Sequence, residues 1–440
     1  MARPANSIRW WLVAIVLVFV GTGMAYSLLW ADVVRHDTHY WLNPGDFWST
    51  WRNAHWVGWG GLSYVYTAGT GLVTLPGFAV VLSPFAALAS ALHLTESSPF
   101  VSLPKPEAWL LAGPVIMASV AIALAGADAL ARHLEVSPGR RRLLALGVAG
   151  TSWPAIVWWG HPEDVVALGI AAYALTRLLQ RRFTATGWLL GLAIAMQLYV
   201  IVLVPVFMAV VGRRRVAPLL ARAAIAPGFL FVAVVVPAPR ETLHALWNQP
   251  NFPTVDHPTP WASLSPSLGH HVIAAGPARV IALALAAAIG VVAIRFRERG
   301  MAVLWLCCAS LAARTVFEAV MVPYYVMPVV ALALVGAAAA GWRRLGVAMA
   351  AGGFVTVDVF WHYGPWPYWV VMTAAVLVLL AAALPARSPV QTVQPTPAPP
   401  PVREADLLDR PLPHLDEVLG GYVPPGVSGS SADEVLHLRR

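Results

Sequence analysis

Long apolar runs separated by short polar clusters recur along the chain from Ile8 to Leu384. A helix needs about 20 apolar residues to cross a bilayer, so the pattern predicts an all-α, polytopic helical membrane protein. The first run, Ile8 to Trp30, follows Arg3 and Arg9. It is longer than the roughly 7–15-residue apolar core of a secretory signal and reads as a retained anchor. Two stretches resist simple counting. Residues 68–92 and 107–131 give two runs where the flanking charges require an odd number of crossings, and Pro76 and Pro84 interrupt the first. Residues 183–211 are too short for two full spans, yet arginines bound both ends. Two short helices meeting near Gln197 satisfy both facts. The expected total is about ten to thirteen membrane segments, broken or re-entrant ones included. Irregular backbone is tolerated at membrane depth only against protein or a cavity, so both breaks are expected to border the functional site.

Beyond this multi-pass domain, residues 1–384, the pattern changes. Residues 385–402 have the Pro, Thr, Val and Ala content of a linker. Residues 403–440 form a polar tail in which acids outnumber arginines, and disorder is expected there. Composition excludes the soluble alternative. With 58% hydrophobic and 11% charged residues, 440 residues lack the charge to cover a soluble surface. The net charge is +8, and Lys105 is the only lysine among 29 basic residues, a bias expected from GC-rich coding. The arginines cluster at 140–142, 181–182, 213–215, 295–299 and 343–344, between apolar runs. That is a positive-inside pattern rather than a nucleic-acid surface, so membrane lipids and not nucleic acid are the expected surroundings. It places the N-terminus and tail in the cytoplasm of a cell-membrane protein. Outside lie residues 31–66, the 160–164 turn, the 237–277 loop and short loops near Arg314–Tyr325 and His362–Tyr368. Cys307 and Cys308 are adjacent and cannot staple distant segments.

The expected outer loops carry the candidate chemistry. Many of the 20 tryptophans fall at membrane boundaries, where an aromatic belt accounts for them. The density of Trp41, Trp48, Trp51, Trp56 and Trp59 exceeds what a belt needs, and indole faces beside polar groups stack well on sugar rings. From Asp46 to His55 the spacing suits an amphipathic interfacial helix. Asp46 is then either its N-cap or a functional acid. Arg314 is a candidate phosphate ligand, or a partner for Glu318 one turn away. His161 and His257 could donate to phosphate or serve packing. Glu163 and Asp164 could orient His161, bind hydroxyls, or cap a helix beginning at Pro162. Asp358, beside Trp361 and His362, is a further candidate. Although histidines are plentiful (His36, His39, His270 and His271 among them), no ligand spacing such as His-Glu-x-x-His occurs, and no metal or other cofactor is assigned.

The acid after the first span sits in Gly45-Asp46-Phe47 followed by aromatics, Ala54, Gly58 and Tyr64. A Pro-containing apolar run follows at 75–84, then Gly187-x-x-x-Gly191-Leu192-Ala193, and late in the chain Pro323-Tyr324-Tyr325-Val326-Met327-Pro328. Over roughly residues 10–380 this resembles the GT-C superfamily of membrane glycosyltransferases, and within it glycosyltransferase family 87. Members of that family typically use polyprenyl-phosphate mannose. The chain has Thr74-Leu75-Pro76 where that family often has Tyr-Pro-Pro, Gln197-Leu198-Tyr199 where it often has Lys-Pro, and Gly160-His161-Pro162-Glu163-Asp164 at its polar turn. The resemblance implies inverting transfer of a sugar, mannose foremost, from a polyprenyl-phosphate donor to a glycolipid or glycan acceptor at the extracytoplasmic face. It implies Asp46 as the catalytic base, with Arg314, His161 and His257 on the donor phosphate. Trp48, Trp51, Arg52, His55, Glu163, Asp164, Tyr324 and Tyr325 would hold sugar or acceptor, with little or no dependence on metal. The competing expectation is a transporter or lipid flippase, whose marks are internal repeats and mid-span charges.

Overall fold

The structure, a computed structural model, describes residues 9–33, 46–66, 72, 74–94, 108–253, 257–358, 361 and 364–385. Except for Pro385, the expected linker and tail lie outside the described residues, as do His36, Asp37, His39, Asp256 and His362.

The chain folds as an all-α helical membrane protein. Trp10–Ser27, Ala108–His133, Arg213–Val235, Ala278–Phe296 and Pro365–Ala382 are long and apolar enough to cross a bilayer. Shorter apolar helices cover Gly77–Ala91, Phe183–Met196, Leu198–Val211, Gly300–Val316 and Tyr324–Ala340. Strand pairing among the described residues is limited to two small ladders and one isolated bridge, Asn251 to Ile273. In chain order the helices are α1 (Trp10–Val33), α2 (Phe47–Gly58), α3 (Gly77–Ala91), α4 (Ala108–Ala118), α5 (Val120–His133), α6 (Pro138–Trp153), α7 (Pro162–Leu179), α8 (Phe183–Met196) and α9 (Val204–Val211). They continue with α10 (Arg213–Val235), α11 (Pro239–Asn248), α12 (Pro277–Ala293), α13 (Gly300–Val316), α14 (Pro323–Ala340), α15 (Trp342–Asp358) and α16 (Pro365–Ala382).

Helix α14 is the axis. Its residues from Val326 to Val335 are buried, and α6, α13, α15 and α16 pack around it. Large apolar side chains such as Leu17, Phe229, Val280 and Val291 point outward, as lipid contact requires. Inside, small residues let backbones approach closely. At the α5–α7 crossing, a Cβ on Gly126 would meet the Gly169 carbonyl oxygen at 2.3 Å, and one on Gly169 would meet Ile122 backbone at 2.4 Å.

Both irregular stretches have a physical cause. Pro76 precedes α3, which also contains Pro84. Helix α8 ends at Gln197, whose extended backbone (φ −155°, ψ 129°) breaks the run before a 3-10 turn leads into α9. The two breaks meet. A Cβ on Gly77 would lie 2.1 Å from the Ala195 carbonyl oxygen, and the Thr74 hydroxyl donates to Gln197 Oε1 at 2.8 Å.

Side-chain pairing gives the bundle two distinct ends. At one, Arg140 donates to the last carbonyls of α14, Arg181 pairs with Glu298, and Arg344 reaches the Leu384 carbonyl. At the other, Asp46 meets His161, and the strand His257–Pro258 pairs antiparallel with Val320–Met321.

The α5–α7 crossing predicts that Gly169→Ala lowers stability by about 1–3 kcal/mol, because the added methyl has backbone as its neighbour. Gly150→Ala, with open space around its Cβ, should be neutral or slightly stabilising. Thermal unfolding of the two variants in detergent checks the contrast.

Candidate functional site

The turn after α6 builds the site. Pro154 starts a π-helical turn, Pro154–Trp158, whose wider winding reverses the chain at Gly160, where φ is +75°. That turn aims His161 across to α2. The backbone N–H of Asp46 donates to the Trp159 carbonyl at 3.1 Å, fixing the start of α2 beside the turn. Asp46 does not cap its helix through its side chain. Its carboxylate Oδ2 lies 2.8 Å from His161 Nε2 instead.

His161 Nδ1 is 2.7 Å from Glu163 Oε1 and 3.5 Å from Asp164 Oδ2. The Tyr324 ring stacks on the imidazole with centroids 3.7 Å apart. A ring with a carboxylate at hydrogen-bonding distance from each nitrogen is satisfied only as imidazolium, since the neutral form has a single N–H. Burial disfavours that charge. The Glu163 carboxylate, with hydrogen bonds to Asp46 and Glu163 and the Asp46 charge, outweighs burial and raises the His161 pKa well above its ordinary value. Solvent reaches the cluster at one edge. The Asp46 side chain is 58% exposed, while Glu163 and Asp164 are buried.

Behind this edge the network runs into the bundle through both helix breaks. Gln197 Nε2 donates to Asp164 Oδ2 at 3.3 Å, and Gln197 Oε1 accepts from the Leu198 N–H and from Thr74. Tyr199 donates to the Asp164 carbonyl at 3.0 Å. Arg314 lies 3.9 Å over the Tyr325 ring and 5.6 Å from the Tyr199 ring. Its expected pairing with Glu318 is loose, 3.9 Å, because Arg279 holds that fully buried carboxylate at 2.7 Å.

Several expected site residues take other places. Trp51 is fully buried against Phe47, and Phe47 packs on Trp109, so Trp51 is a core residue and cannot stack on a sugar. The helical spacing that made α2 look amphipathic turns Phe47 and Trp51 inward, leaving Trp59 exposed. His55 lies on the α3 side, with Nδ1 3.2 Å from Ser90 Oγ. Arg52 is partly buried on the same helix, and the Trp48 side chain lies outside the described residues. His257 is buried and stacked on Tyr368 at 4.2 Å. Asp358 is buried at the end of α15. Asp46, His161, Glu163, Asp164 and Tyr324 come together, with Arg314 and Tyr325 behind them. Gln197, Thr74, Tyr199 and Arg279 join the network without having been singled out as site residues. A polar side chain inside an apolar run was the available signal for Thr74 and Gln197.

One ligand atom each from His161, Glu163 and Asp164 fall within 4.8 Å of one another, close enough to hold a divalent cation. Ligation needs the neutral imidazole, so a metal would have to displace a hydrogen bond that already stabilises the imidazolium. No protein-family model matches the chain, and neither a curated protein nor a solved structure does.

The raised His161 pKa fixes a sign. A group whose folded pKa lies above its unfolded value stabilises fully below about pH 6.5, and that stability is lost as pH rises through the folded value. The gap in thermal midpoint between wild type and His161→Gln should therefore be widest at about pH 6 and close on the alkaline side. A gap that grows with pH would contradict the imidazolium assignment.

Proposed function

We propose that the chain is a membrane glycosyltransferase of GT-C type, related in mechanism to family 87. In this reading it transfers a sugar, mannose foremost, from a polyprenyl-phosphate donor to a glycolipid or glycan acceptor. The observation that carries the reading is the exposed Asp46 carboxylate, oriented by His161 and Glu163 at the end of the bundle opposite the paired arginines. The basic end faces the cytoplasm by the positive-inside rule, so the Asp46 end is extracytoplasmic.

Asp46 Oδ2 is engaged by His161. Its other oxygen takes the acceptor hydroxyl proton as the acceptor oxygen attacks the anomeric carbon from the face opposite the phosphate. The bond from that carbon to the phosphate oxygen breaks, and the polyprenyl phosphate leaves with the electron pair. A phosphate leaves without a proton donor, unlike the sugar alkoxide of a glycosidase, so one base and nearby cations suffice. Arg314, held loosely by Glu318, supplies positive charge; His161, expected on the phosphate, has both ring nitrogens taken by Asp46 and Glu163 and orients the base instead. Apolar surface for the lipid chain supports the reading. An apolar cleft of about 540 Å³ runs between α1, α6 and α15, lined by Ile15, Val18, Phe19, Leu146 and Trp153. Its wall includes Pro154, the first residue of the turn that carries His161.

The buried carboxylates Asp164 and Glu318, with the partly buried Arg279 and Arg314, favour a second reading, a transporter or flippase with a polar path. Two measurements on the purified protein separate them: sugar transfer from polyprenyl-phosphate mannose to an envelope glycolipid extract, with and without chelator, and lipid flux into vesicles. Asp46→Asn should lose about 10²–10⁴-fold in transfer while remaining folded, and Trp51→Phe should affect stability more than turnover. Full transfer by Asp46→Asn would remove the catalytic assignment. Lipid flux into vesicles that survives Asp46→Asn but not Gln197→Leu would favour the transporter.

A further inference from the structure

At the basic end, three guanidiniums converge on one carboxylate. Asp128, near the end of α5, has a side chain only 2% exposed. Arg141, in the first turn of α6, donates to its Oδ1 from Nε at 2.6 Å and approaches the same oxygen with Nη2 at 2.6 Å. Arg132, one turn along α5, brings Nε to 3.4 Å from Oδ2, and Arg9, just before α1, reaches that oxygen as well.

The charges do not balance. One carboxylate neutralises one guanidinium, and Arg141 already provides a two-point contact to it. Arg9 and Arg132 therefore add like charge at a junction of three helices. Their exposure differs from that of Arg141 too: the Arg9 and Arg132 side chains are 28% and 47% exposed, against 14% for Arg141. The cluster has N–H groups held in place by Asp128 and open toward the surface. Its depth is marked by Trp10, 71% exposed beside Arg9, and by the outward Leu17 and Val18 along α1. An exposed indole at the head of an apolar helix sits at headgroup level.

We propose that Arg9, Arg132 and Arg141, organised by Asp128, bind the phosphodiester headgroup of an anionic membrane lipid. Guanidinium N–H groups make charge-assisted hydrogen bonds to phosphate oxygens, and basic pockets between helices on the cytoplasmic side of membrane proteins hold such headgroups. Asp128 acts as the organiser, fixing the side chains that would otherwise repel one another. The site lies at the opposite end of the bundle from Asp46 and does not rest on the glycosyltransferase reading.

The test uses the full chain in nonionic detergent, with lipid adducts counted by native mass spectrometry. Phosphatidylglycerol, phosphatidylcholine and inorganic phosphate are compared on wild type, Arg132→Gln and Arg9→Gln/Arg132→Gln; all three proteins keep the Arg141–Asp128 pair. Wild type should prefer phosphatidylglycerol over phosphatidylcholine by about tenfold. The single variant should weaken that preference and the double variant abolish it. An unchanged preference in both variants would overturn the site. Saturation by inorganic phosphate with no preference between the lipids would overturn the lipid as its ligand. Should the double variant fail to fold, Arg132→Gln alone decides, because its side chain is the most exposed of the three: unchanged preference there overturns the proposal.

Discussion

The imidazole of His161, held between Asp46 and Glu163, is the contact on which the arrangement of its end of the bundle depends. It joins α2 to the start of α7 across a sequence separation of 115 residues, and Tyr324 of the central helix α14 closes over its face. An imidazolium between two carboxylates is stable in a partly buried setting because each charge is met at hydrogen-bonding distance. The π turn after α6 makes this possible by placing His161 at the rim rather than inside the bundle.

Behind that rim the chain links its polar interior into a network, although Glu163 Oε2 and Glu318 Oε2 are buried without a hydrogen-bond partner. Asp164, Gln197, Thr74 and Tyr199 form a connected set of hydrogen bonds, and Arg279 neutralises a carboxylate on Glu318 that no water reaches. Breaking one partner of such a buried pair costs far more than the pair contributes. The irregular backbone at Gln197 and before α3 is tolerated because each break abuts the other and the Asp164 side chain.

Much of the fold was legible because apolar run length and Arg placement are direct consequences of a lipid solvent. The break near Gln197 could be read from the lack of room for two full spans, and the break at Pro76–Pro84 from proline itself. Asp46, His161, Glu163, Asp164 and Tyr324 were each visible as polar or aromatic residues at run boundaries. What the sequence could not supply was direction. Helical spacing gives a face but not which neighbour it meets, so Trp51 read as a binding surface and is core, while His55 lies against Ser90 of α3. Arg279 lies 39 residues before Glu318, and only the packing of α12 against α13 reveals that it takes the partner expected for Arg314.

The central claim is that His161 is an imidazolium donating to Asp46 and Glu163. Nitrogen-15 NMR of histidine-labelled protein at neutral pH, with His161→Gln used to assign the signal, tests it directly. The account predicts both ring nitrogens of His161 protonated and hydrogen-bonded, with the Nε2 signal moving in Asp46→Asn. A single neutral tautomer, unchanged in Asp46→Asn, would contradict it.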